Sequence, residues 1–115
     1  MMKYKTRENS GIVIVELSGR LMGGPDSAKF RNLIYDLLEK GKKNIVIDLG
    51  KVSWVNSVGV GILISGYTTM RKHQGDLKLL NVSSKIKSLL YVTKLNLIFE
   101  SFEDETEVIK SYSEN

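Results

Sequence analysis

The order of pattern in NIVIDLGKVSWVNSVGVGILISGYTTM, from Asn44 to Met70, constrains this chain more than any other stretch. Asn44 to Leu49 is a short continuous apolar run, the mark of a strand covered on both faces. A short loop and a second brief apolar piece follow, and Gly59 and Gly61 open a long apolar helix pattern. Ile62, Leu63, Tyr67 and Met70 recur at helical spacing, so a helix is expected from about Ser57 to His73, stopped by Gly75. A strand that feeds straight into a helix sets Ser57 at the helix mouth, on the end of a buried scaffold. Backbone N–H groups and the helix dipole favour negative charge there. Serine is also a preferred N-cap, and most such serines do nothing else.

The flanks extend the alternation. Tyr4 to Glu8 alternates weakly, Asn9-Ser10-Gly11 has turn chemistry, and Ile12 to Leu17 is rich in β-branched residues, which predicts a hairpin. Gly19 breaks that pattern, and Arg20 to Pro25 reads as a loop. Pro25 suits a first helical turn, with Asp26 adding negative charge. Phe30, Leu33, Ile34, Leu37 and Leu38 mark that helix, and Gly41 is its expected left-handed end. Further on, Leu77 to Leu80 predicts a strand. Ser83 caps a short helix with Ile86, Leu89, Leu90 and Val92 inward. Leu97 to Phe99 predicts a last strand. Asp104-x-x-Glu107 resembles a capping box for a final helix that buries Val108, Ile109 and Tyr112. A hairpin followed by alternating helices and strands implies an α/β fold with a largely parallel sheet and an antiparallel first edge.

Composition narrows the function. The 115 residues suit one domain over 1–115, and the apolar share of 42% is enough for a core. The chain has no cysteine and one histidine. That argues against a thiolate metal site, a cysteine nucleophile and a nucleophile–histidine pair, so no catalytic residue, metal ligand or cofactor is assigned. His73 reads as a solvated helix-terminal residue. The charge is +4, with 17 basic and 13 acidic residues, but no basic run is interleaved with stacking aromatics, so no nucleic-acid partner is expected. No signal-peptide core or membrane span is evident, which leads to the expectation of a cytoplasmic protein. Gly59-x-Gly61 with Gly66 lacks dinucleotide-fingerprint spacing, and there is no P-loop lysine. The glycines read as close packing of helix on strand, or as room for a partner's backbone. Asp48 reads as a loop-capping carboxylate. Trp54 fits either the core or an interface anchor.

The run Asp48-Leu49 through Trp54-Val55-Asn56-Ser57-Val58-Gly59-Val60-Gly61-Ile62-Leu63 resembles the central signature of the STAS domain, found in anti-sigma factor antagonists and sulfate transporters. Val13 to Arg20, Lys78 to Val82 and Lys85 to Phe99 are similar to the family's early strand, its later strand and its third helix. The resemblance implies a mixed four- to five-stranded sheet flanked by about four helices. It also implies a non-enzymatic regulator that acts by partner switching. The unphosphorylated form binds an anti-sigma factor that is also a serine kinase and frees a sigma factor. Phosphorylation of Ser57 blocks binding, and a phosphatase restores it. The implied partner surface is Arg20, Met22, Gly23, Asn56, Ser57, Val58, Gly59, Val60 and Gly61, within a stretch running on to Asp26. Asn56 stands where the family usually has Asp, and Arg20 and Met22 stand where acids are common. The site is therefore less acidic than the pattern, and Arg20 offers a cation to a phosphate. Two other readings compete. One is a phosphorylation-independent STAS scaffold in a larger signalling assembly. The other is a small nucleotide-binding enzyme using the Gly59/Gly61 turn.

Overall fold

The computed structural model describes residues 2–113. The expected hairpin is there and is longer than its sequence signal. β1 (Lys3–Asn9) pairs antiparallel with β2 (Ile12–Leu21), and Ser10 and Gly11 turn the chain with positive φ. β2 does not stop at Gly19, as the sequence suggested. That residue takes φ 89 where the pairing with the next strand slips register, so the strand bulges and runs on to Leu21. Pro25 opens α1 (Pro25–Glu39), and Gly41 turns left-handed just beyond its end, both as expected.

β3 spans Asn44–Val55 and absorbs the residues expected to form a short loop. Gly50 lies next to a carboxylate, not in a break. Asp48, expected to cap a loop, instead braces the strand: its Oδ1 accepts the Gly50 N–H at 2.9 Å and an Asn81 Nδ2–H at 3.1 Å. α2 (Ser57–Lys72) follows after one residue, and His73 caps its end, exposed, with Nδ1 2.9 Å from the Thr69 carbonyl oxygen. β4 (Asp76–Leu80) leads to α3 (Ser84–Val92), whose N-cap Ser83 accepts the Ile86 N–H. Val92 is exposed, contrary to the inward position expected.

The last strand is also displaced. Leu95–Leu97 form a 3₁₀ turn, and β5 is only Ser101–Phe102. The apolar run misleads because Leu95 and Phe99 face inward one helical turn apart, joined by a Phe99 N–H to Leu95 carbonyl bond at 3.0 Å, while Leu97 is exposed. α4 (Glu105–Ser113) is the last described element, and Asp104 Oδ1 accepts the Thr106 N–H.

The five strands lie in the order β1-β2-β3-β4-β5, parallel apart from β1. Consecutive order with crossovers of one hand keeps every crossover helix on one face. Accordingly Phe30, Leu33 and Leu37 of α1, Leu63 and Met70 of α2, and Ile86 and Leu90 of α3 share one core with Val15, Ile45, Ile47 and Leu79. On the opposite face α4 buries Val108 and Tyr112 against Ile14, Val46 and Leu80. Lys78, inside the apolar β4, is buried on this second face. Its Nζ lies 2.8 Å from Ser111 Oγ, 3.7 Å from a Glu100 carboxylate oxygen and 4.3 Å from the Tyr112 ring centroid. The Tyr112 hydroxyl donates to the Ile45 carbonyl at 2.6 Å, and burial pushes this phenol well above its ordinary range.

Glycine sets how closely α2 approaches the sheet at Gly59 and α1 at Gly66. A Cβ on Gly59 would sit 1.9 Å from the Leu21 carbonyl oxygen, and one on Gly66 would sit 2.4 Å from Phe30 Cε2. A Cβ on Gly61 would meet nothing within 4 Å. Gly59→Ala is therefore expected to cost about 3 kcal/mol or more in urea unfolding. Gly61→Ala is expected to stabilise by roughly 0.5–1 kcal/mol, as alanine does in an exposed helix. Equal effects would contradict this packing.

A charged strap ties α4 to the hairpin. The Arg7 guanidinium donates to Glu16 at 2.8 Å and forks onto both oxygens of Glu105, which also accepts from Asn9 at 2.7 Å. Arg7 and Asn9 hold the Glu105 carboxyl down at about 2, below its ordinary 4.5. A depressed carboxylate stabilises the fold above about pH 4.5, and that contribution disappears as the pH falls toward 2. Because the pair is partly exposed, Glu105→Gln is expected to lose only about 1 kcal/mol near neutrality. Its stability should then fall less steeply below pH 4.5 than that of the unaltered chain, measured by urea unfolding against pH. Parallel acid limbs would show that the strap contributes nothing.

Candidate functional site

The site forms at the carboxyl ends of β2 and β3, where the register pairs Arg20 with Trp54 and Leu21 with Val55. The chain turns into α2 through Asn56, and this residue, not Ser57, is the N-cap. Its Oδ1 accepts the Gly59 N–H at 2.8 Å, and its Nδ2 donates to the Met22 carbonyl at 3.3 Å. An aspartate could cap in the same way but has no donor for Met22, so the amide here joins the β2 exit loop to α2.

With Asn56 as the cap, Ser57 is the first helical residue. It is exposed, and its hydroxyl has no hydrogen-bond partner among the described residues. Val58 beside it is 53% exposed although apolar, and its Cγ1 lies 2.6 Å from where a Gly23 Cβ would stand. Gly23 has φ 103, so a side chain there is excluded by both space and backbone. Arg20, Met22 and Gly61 are exposed, and Gly23 and Asn56 are half-buried. Gly59 and Val60 are buried and face the sheet, so they support this surface from beneath.

Asp26, at the far end of the expected stretch, is also buried. Its carboxylate accepts the Met2 N–H at 3.3 Å and the Met22 N–H at 3.5 Å, so it fixes the loop from behind. Among the nine named surface residues the structure places no carboxylate.

Two recesses lie at this end of α2, one lined by Val58 and the other by Ser57 itself. Between α1 and α2 lies a groove of about 350 Å³, with Phe30, Ile34, Val58, Gly61, Ser65 and Thr69 among its walls. On the other side, Trp54, Ser57, Lys85, Ile86 and Leu89 line a largely apolar cleft of about 370 Å³. Trp54 is exposed, and Lys85 Nζ sits 4.6 Å from its ring centroid. The outer face of β3 runs past the end of β4, which leaves Trp54 uncovered. The sequence left Trp54 open between core and surface and gave no signal for Lys85, because a lysine in a first helical turn reads as ordinary solvated charge. Among the described residues no group of three or more His, Asp or Glu could hold a metal, and no helix is long and apolar enough to cross a membrane.

Similar proteins share the fold. Over 61 residues the chain is 34% identical to the anti-sigma-B factor antagonist of Listeria monocytogenes, a match covering 51% of this chain and 54% of the relative, so it spans about half the relative's length. An anti-sigma factor antagonist from Mycobacterium paratuberculosis superposes with TM-score 0.81 at 19% identity, over 96% of this chain and 93% of that one. Phosphorylated SpoIIAA of Bacillus superposes with TM-score 0.72 at 20% identity, over 96% and 99%. At such identities the structures speak for the fold alone. The sequence model of the STAS domain matches residues 3–108, and the chain belongs to the STAS domain family.

Proposed function

We propose that this chain is a cytoplasmic, non-enzymatic anti-sigma factor antagonist that works by partner switching through Ser57. The observation that carries the reading is the unengaged Ser57 hydroxyl, exposed beside an exposed valine and an open glycine. Glycine in an exposed helix costs about 1 kcal/mol against alanine, and nothing in the fold needs it at Gly61. A partner's close approach accounts for it. The relatives' names point the same way, and SpoIIAA has been solved both unphosphorylated and phosphorylated.

In this reading the unmodified surface docks an anti-sigma factor that is also a serine kinase, and a sigma factor is released. The kinase directs Ser57 Oγ at the γ-phosphorus of ATP. The bond to ADP breaks as the new P–O bond forms, and the hydroxyl proton passes to a base on the kinase. A phosphatase adds water to phosphorus, releasing inorganic phosphate and restoring the hydroxyl. The phosphate brings nearly two negative charges to a face that must desolvate on docking, which weakens the complex. The N–H groups of α2 stabilise it in the free protein, so the fold survives.

Consecutive strand order also supports a regulator over an enzyme, because ligand crevices in parallel sheets form where strand order reverses. One observation favours the rival scaffold without phosphate control: Arg20, Met22 and Asn56 leave the surface without the family's acids.

Incubation with the kinase and ATP is expected to add one phosphoryl group, lost in Ser57→Ala, by intact mass. Ser57→Asp is expected to weaken binding at least about tenfold while Ser57→Ala binds nearly normally. An unmodified Ser57 together with equal affinities would favour the scaffold. Gly61→Ala is expected to weaken the same complex without lowering the melting temperature. Unchanged affinity would remove the partner-approach account of Gly61.

A further inference from the structure

Lys85 belongs to α3 yet faces the end of β3. Its ammonium lies over Trp54, and among the described residues it has no carboxylate partner. Among the described residues it is the only charged one lining the cleft that also holds Ser57, and none of them bonds the Ser57 hydroxyl. The cleft thus brings together a modifiable oxygen from α2, an indole from β3 and an uncompensated cation from α3.

We propose that Lys85 receives the phosphate of phosphoserine 57, its ammonium leaving the Trp54 face to bond the phosphate oxygens, so that modification of α2 is relayed to the cleft beside α3. The inference rests on Ser57 being the phosphorylated residue. Three properties carry it. An exposed cation–π contact is weak and readily exchanged. A phosphoserine offers nearly two negative charges and three acceptor oxygens, and a charge-assisted bond to it is roughly twice as strong as a neutral one. The lysine stem is flexible and its three donors rotate, so the ammonium is free to leave the ring for another partner in the cleft that Lys85 and Ser57 both line.

Lys85 is a positioning residue here, and Trp54, the only tryptophan of the chain, reports its departure. Protein carrying phosphoserine at 57, installed during translation with an expanded genetic code, tests the relay without any kinase. Phosphorus NMR titration is expected to show the second phosphate pKa about half a unit lower than in the phosphorylated Lys85→Gln protein. Trp54 emission is expected to differ between modified and unmodified protein, to lose that difference in Lys85→Gln and to recover it in Lys85→Arg.

Equal phosphate pKa values in the parent and Lys85→Gln proteins, or a Trp54 response that survives Lys85→Gln, overturns the relay. The partner-switching reading falls on a different result, a kinase that leaves Ser57 unmodified, so the two failures are distinguishable.

Discussion

The seat of α2 against the end of β2 is the contact on which the site depends. Gly59 brings the helix backbone so near the Leu21 carbonyl that no side chain fits between them. Asn56 then closes the first turn and holds the Met22 carbonyl. These two residues set the helix mouth at a fixed height over the carboxyl end of the sheet. Ser57 is left outward because Asn56 before it and Gly59 two residues after it are committed to the fold. A bulkier residue at Gly59 would lift the helix and part the loop from the surface it completes.

That arrangement separates stability from recognition. The apolar core lies beneath, in the layer that α1, α2 and α3 build on one face of the sheet. Its apolar contacts are indifferent to a charge added at Ser57. The opposite face is stabilised on its own by α4, through the Arg7–Glu105 strap, the buried Lys78 and the Tyr112 bond to Ile45. A switch on such a body can change what docks without changing what is folded. None of the nine surface residues is acidic, Asp26 lies buried behind them, and Arg20 and Lys85 stand near Trp54.

Much of the fold was legible because helical period and turn chemistry agree locally. α1 follows from Pro25, five spaced apolar residues and Gly41. α2 follows from its apolar stripe, and α3 from the Ser83 cap. The misreadings share a cause, since glycine and short apolar runs are ambiguous without their neighbours. Gly19 looked like a strand end but forms a bulge, because β3 continues to pair beyond it. Leu97 to Phe99 looked like a strand, but the core contacts there come from Leu95 and Phe99, at helical spacing. At the site, Ser57 and its glycines stood out, whereas the cap belonged to Asn56, and Lys85 became visible only when α3 was set beside β3. Contacts between distant segments leave no local pattern to read.

The most direct test is calorimetric titration of the anti-sigma factor kinase with the chain in two homogeneous forms, unmodified and phosphorylated at Ser57, with the melting temperature of each recorded alongside. The account predicts tight binding by the unmodified form, binding at least about tenfold weaker by the phosphorylated form, and nearly equal melting temperatures. Equal affinity of the two forms would contradict it.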